Sequence, residues 1–222
     1  YVMKIGESHY ISPVQYNENT KTWAVYHGAD WDTSGPTALK NSWERRCGGC
    51  HATGLLTSFD TTTGEYLTGY AQLNVGCESC HGPGKAHTLS KDPDDILDPR
   101  DLIDGSADGK ERADLTCGQC HNRGSGGLPD GAPSSTGYPW KNGVGIFPPG
   151  GNQADYDTFY TETSKQYWGE KSLDSHNASK KHHQQMLDLA NGPHGPDKSY
   201  DAVCFDCHNP HGNAGKHMIT TD

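Results

Sequence analysis

The sequence predicts a fold filled by prosthetic groups rather than by its own side chains, with mostly irregular loops, a few short helices and an N-terminal β-hairpin. Two observations lead there. Of 222 residues only 32% are hydrophobic, while glycine and proline number 28 and 13, too little apolar material and too many chain breakers for an ordinary core. The second observation is a motif, Cys-x-x-Cys-His, which occurs four times and consumes all eight cysteines.

The motif stands at residues 47–51, 77–81, 117–121 and 204–208. By chance this composition would yield it about 0.02 times in a chain of this length. Two cysteines three apart, with a histidine directly after the second, are the attachment signature of c-type haem. The sulfurs of Cys47 and Cys50, Cys77 and Cys80, Cys117 and Cys120, and Cys204 and Cys207 bond to the vinyl groups. His51, His81, His121 and His208 each supply a proximal ligand to iron. Paired zinc sites would use the same cysteines but leave the four following histidines unexplained. Disulfides suit so close a spacing poorly. The expected cofactors are therefore four covalently attached haem c groups. Their apolar faces replace the missing core, so the polypeptide wraps around them as one domain over 1–222. Residues 1–45 form a hairpin segment without a haem motif, and 46–222 form the haem-binding region.

A net charge of −10 keeps such a protein soluble and argues against nucleic acid or an anionic membrane as partner. No apolar run reaches the length of a membrane span. The start at Tyr1 without Met fits a processed, exported chain, since haem joins this motif outside the cytoplasm. The expected location is extracellular or the outer cell surface, with the periplasm as alternative.

Residues 10–16 and 22–26 read as two strands joined by the polar loop 17–21, with Pro13 on an edge. This hairpin can cap the haems or reach a neighbouring molecule. Residues 55–69, rich in Thr and Gly, read as a second hairpin. The polar stretch 88–113 carries Asp92, Asp94, Asp95 and Asp98, where a calcium site is conceivable but solvated loop carboxylates are commoner. Residues 124–151 read as a long irregular loop. The best helix is 175–191, started by Ser175 or Asn177 and ended by Asn191-Gly192. From His183, positions i+3, i+4 and i+7 are Met186, Leu187 and Ala190, so His183 faces inward better than His182.

Nine histidines remain for the distal side of four irons: His9, His27, His87, His176, His182, His183, His194, His211 and His217. Met3, Met186 and Met218 are the thioether rivals, but imidazole is plentiful enough for bis-histidine ligation throughout. His87 and His211 lead, each set by a Pro-containing turn behind an attachment motif. Both lie too near their own proximal histidine to wrap around the same ring, so each reaches a neighbouring haem. His183 and His194 follow. His9, in the leading segment, is free to complete a haem of the next subunit. His27, His176, His182 and His217 read as surface residues or propionate partners.

The runs 74–87, 183–194 and 204–212 resemble a multihaem cytochrome c family, one member of which takes electrons from hydroxylamine oxidoreductase. The N-terminal hairpin followed by residues 47–54 is similar to the tetrahaem cytochromes of the OmcE type, which polymerise into extracellular filaments. That resemblance implies stacked haems in alternating parallel and T-shaped pairs, bis-histidine irons, and one distal histidine supplied by the adjacent subunit. It also implies a head-to-tail homopolymer delivering electrons to redox partner proteins or extracellular acceptors. Electron transfer is the expected function, because two imidazoles per iron leave no open position for a substrate. A monomeric periplasmic shuttle between redox enzymes is one alternative. A redox enzyme with one open haem is another, although no Cys-x-x-Cys-Lys site of the ammonia-forming nitrite reductases is present.

Overall fold

A computed structural model describes residues 1–162, 182–195, 201–212 and 218–219. Their contacts gather into two compact units: Tyr1–Gly76 with Ser125–Ile146, and Cys77–Gly124 with Phe147–Asp222. Every sheet among the described residues is a two-stranded ladder, and most of the chain between the short elements is turn and loop.

In the first unit the leading segment forms two hairpins where one was expected. Val2–Ile5 pairs with Ser8–Ile11, and Val14–Asn17 pairs with Thr22–Val25. Tyr10 and Ile11 thus belong to the first ladder, not to a strand running on to Tyr16. The break falls at Ser12-Pro13, where proline has no N–H to continue a ladder and the Ser12 hydroxyl instead bonds to the Val14 carbonyl at 3.0 Å. Gly6 opens the two-residue turn of the first hairpin at φ 62°, a left-handed backbone such turns require. The hairpin read at 55–69 is present as Leu56–Asp60 against Glu65–Gly69.

The core of this unit is Trp43, Ala52, Leu55, Tyr138 and Trp140, with Cys47 and Cys50 packed against it. Two of those aromatics come from the stretch read as irregular loop. It carries the short ladder Trp140–Lys141 with Gly145–Ile146, which fixes the rings in place.

The second unit is organised by the helix Ala107–Gly118, which begins inside the polar stretch 88–113 and runs into the third attachment motif. Ser106 caps it by accepting the Gly109 N–H at 2.9 Å. Its Leu115 is fully buried with Phe147, Tyr156, Phe159 and Tyr160. Phe147 meets Tyr156 and Phe159 edge-on, with ring centroids 5.0 and 5.6 Å apart, the geometry aromatic quadrupoles favour. The helix expected over 175–191 is described as Gln185–Asn191, ending before Gly192 as read. Residues 182–184 precede it, with His183 at φ 48°. The helical-face argument for His183 therefore does not hold. The expected start at Ser175 or Asn177 lies outside the described residues.

Candidate haem-binding sites

Each attachment motif folds as a single helical turn. The Cys47 carbonyl accepts the N–H groups of Cys50 and His51 at 3.1 and 2.9 Å, and the carbonyls of Cys77 and Cys117 do the same for their own pairs. The Cys204 carbonyl accepts the His208 N–H at 2.9 Å. Residues three and four apart share one side of such a turn, so the two sulfurs and the imidazole are offered together. Gly82, at φ 68°, then ends the second turn.

The first motif lies in the first unit. Its two glycines are dictated by packing: a Cβ on Gly49 would strike the Tyr138 ring, and one on Gly48 would crowd Leu55 and Trp43. Burial pushes the Cys47 thiol up to about 11, so a neutral thioether suits this position better than a thiolate. The other three motifs lie in the second unit and are tied to one another. Gln119 of the third donates to the Ser79 carbonyl of the second at 3.3 Å. Asp114, one helical turn before Cys117, accepts the Cys204 N–H at 2.9 Å. The Cys204 thiol donates to Cys117, raising the former and lowering the latter.

Among the described residues, His81, His87, His121 and His9 each have Nδ1 held by an oxygen that can only accept. His81 bonds to the Leu97 carbonyl at 2.6 Å, His87 to the Asp92 carbonyl at 2.8 Å, His121 to the Gln185 amide oxygen at 3.2 Å and His9 to the Glu44 carboxylate at 3.0 Å. An Nδ1–H committed in this way fixes the tautomer with the Nε2 lone pair free, as metal-bound histidines have it. His211 faces His81: the ring planes lie within 5° of parallel and the centroids are 5.8 Å apart.

His183 is half-buried, its ring 4.3 Å from that of His182 and nearly perpendicular to it. His194 is exposed and passes its backbone carbonyl to Ala202 N at 3.0 Å. His27 is exposed beside Asp30, while His176 and His217 lie outside the described residues. The Asp92 and Asp98 side chains accept the N–H groups of Asp94 and Arg100, each at 3.0 Å, as caps of short 3₁₀ turns. Sequence reasoning missed Glu44, Gln185 and the two carbonyls that orient the imidazoles. No local signal marks a partner 16 or 35 positions away.

Among the described residues no three His, Cys, Asp or Glu side chains converge as a closed metal cage. A porphyrin supplies four nitrogens of its own, so haem asks the protein only for axial ligands and thioether sulfurs. The paired thiols and the Nε2 atoms left open on His9, His81, His87 and His121 fit that demand.

Among solved structures the chain is similar to the outer cell wall cytochrome OcwA, with a TM-score of 0.55 and 23% identity, covering 99% of this chain and 44% of that one. It is also similar to the undecahaem cytochrome from the S-layer of Carboxydothermus ferrireducens, with a TM-score of 0.44 and 18% identity, covering 100% and 33%. The chain thus spans less than half the length of either structure. No match was found among curated proteins. The cytochrome c552 family matches residues 38–222, a stretch that holds all four attachment motifs. The chain belongs to the cytochrome c552 family, as a multihaem c-type cytochrome with covalently bound haem iron.

Proposed function

We propose that the chain carries four haems, one at each Cys-x-x-Cys-His motif, with every iron held between two imidazoles. In this reading it is a subunit of an extracellular cytochrome filament that carries electrons over long range to external acceptors. Haem c, when bound, supplies the one-electron ferric/ferrous couple. The residues of the chain would position it: His51, His81, His121 and His208 on the proximal side, and four of His9, His87, His183, His194 and His211 on the distal side, with His9 able to serve a haem of its own or an adjacent subunit.

The observation that carries bis-histidine ligation is the parallel pair His81 and His211, 5.8 Å apart. It brings the turn after the fourth motif beside the second motif, and the reading takes His211 as a ligand of that neighbouring haem. Asn209 shapes that turn by accepting the His211 N–H at 3.1 Å. The assembly reading is supported by the N-terminal hairpins, where Tyr1, Trp23 and Val25 are 61, 61 and 76% exposed. Apolar surface of that kind marks a contact site, and a head-to-tail contact that does not close propagates. An exterior location is supported by the outer cell wall origin of the similar structure OcwA. No helix among the described residues is long and apolar enough to cross a membrane.

A second reading rests on the family, which includes nitrite reductase: a redox enzyme with an open iron. Adding CO to the reduced protein separates the two. Full six-coordination gives no stoichiometric CO complex, whereas an open iron binds one CO per chain. Negative-stain imaging of the same sample shows fibres if the assembly reading holds, and isolated particles if the chain is a monomeric shuttle.

A further inference from the structure

Glu44 is fully buried, and its carboxylate is surrounded by donors. It accepts the His9 backbone N–H at 2.7 Å, His9 Nδ1 at 3.0 Å, and the hydroxyls of Ser42 and Thr68 at 3.2 Å each. The Tyr138 hydroxyl closes over the same residue by donating to its backbone carbonyl. The carboxylate oxygens thus meet one backbone N–H, two hydroxyls and an imidazole nitrogen. None of the four is a lysine or arginine. The neighbouring Arg45 turns instead to the Leu39 carbonyl and the Ser134 hydroxyl. A buried anion held only by neutral donors is expensive, and the cost is offset if the imidazole it grips passes the charge on to a cation.

His9 is built for that. Trp43 flanks its ring at 5.7 Å, its side chain is 18% exposed, and Nδ1 is committed to Glu44, so Nε2 is the ring atom left to bind. Glu44 itself stands three residues before Cys47. The other Nδ1-held imidazoles meet neutral oxygens, the carbonyls of Leu97 and Asp92 and the amide of Gln185. A carboxylate in this position draws the Nδ1 proton harder than a neutral oxygen and raises the basicity of Nε2. A more basic axial imidazole stabilises ferric over ferrous iron.

We infer that Glu44 is a positioning residue for an axial haem ligand: it holds His9 with Nε2 free for iron and lowers the reduction potential of the haem that His9 ligates. This rests on the four-haem, bis-histidine reading above. It adds a built-in asymmetry, one haem that gives up its electron more readily than its ligand type alone would set.

The test is a potentiometric titration of the four-haem holoprotein, followed by visible and low-temperature EPR spectra, in the wild type and in two variants. His9→Ala is expected to open one iron per chain to CO. Glu44→Gln is expected to leave every iron low-spin. It raises the reduction constant of that same haem at least tenfold, which for one electron is 59 mV. If Glu44→Gln does not accumulate with four haems, Thr68→Val replaces it. Removing one donor leaves more of the carboxylate to His9, so the same haem moves to lower potential. A His9→Ala protein with all irons still six-coordinate, or a potential profile unchanged in both the Glu44 and Thr68 variants, overturns the inference. A wild type without four low-spin haems instead overturns the reading it rests on, before any variant is compared.

Discussion

His81 and His211 lie 130 positions apart in the chain, yet their imidazole planes are within 5° of parallel at a centroid separation of 5.8 Å. In the proposed reading, His211 in the turn after the fourth attachment motif is the second ligand to the iron of the second. His211→Ala is expected to convert the haem bound at Cys77 and Cys80 from six- to five-coordinate. One CO per chain then binds to the reduced protein, and the other haems keep their low-spin spectra. An unchanged spectrum would mean that His211 is not an axial ligand.

The Tyr138 ring rests directly on Gly49, inside the first Cys-x-x-Cys-His turn. Gly49→Ala has nowhere to place its methyl without moving a ring that is 1% exposed, and overpacking of this kind costs about 1–3 kcal/mol. A denaturant titration of the holoprotein should show that loss. Gly69→Ala, where a Cβ meets nothing within 4 Å, should stay within about 0.5 kcal/mol of the wild type.

Ser106 caps the longest described helix, Ala107–Gly118, which carries Cys117. Ser106→Ala removes the acceptor for the Gly109 N–H and should cost about 1 kcal/mol. The urea midpoint is expected to fall with its slope unchanged. A changed slope would indicate that the helix end does more than satisfy one donor.

The Asp60 carboxylate closes the Leu56–Gly69 hairpin by accepting the Thr62 N–H at 2.8 Å, and this bond holds its pKa below the ordinary 3.8. A carboxyl depressed in the folded state stabilises that state above its unfolded value and loses the contribution as pH falls through the folded one. The hairpin is therefore indifferent to pH near neutrality and loosens below about pH 4. Amide exchange at Thr62 and Thr63 measured across that range checks the sign. In Asp60→Asn, which keeps the acceptor without the charge, the acid-induced change at this turn should vanish.

The attachment sites were legible because covalent chemistry demands contiguous residues: two thiols and an imidazole must share one helical turn, so spacing alone reveals them. The hairpin at 56–69 was legible for the same local reason, through its Thr- and Gly-rich composition. What was not legible depends on distant atoms. Leu97 and Asp92 orient His81 and His87 through backbone carbonyls that any residue would carry, and Glu44 meets His9 across 35 positions. The helix Ala107–Gly118 escaped because its buried positions include Gly109, Thr116 and Gly118 rather than a repeating apolar stripe. Its Ser106 cap was the signal available. Tyr138 and Trp140 sit among glycines and prolines, where composition reads as loop while the rings form core.

The most direct test of four covalent haems is the intact mass of the natively produced protein, measured after acid has stripped everything not covalently bound. A polypeptide mass increased by four haems is the predicted result. The bare polypeptide, or one with fewer than four additions, would contradict it.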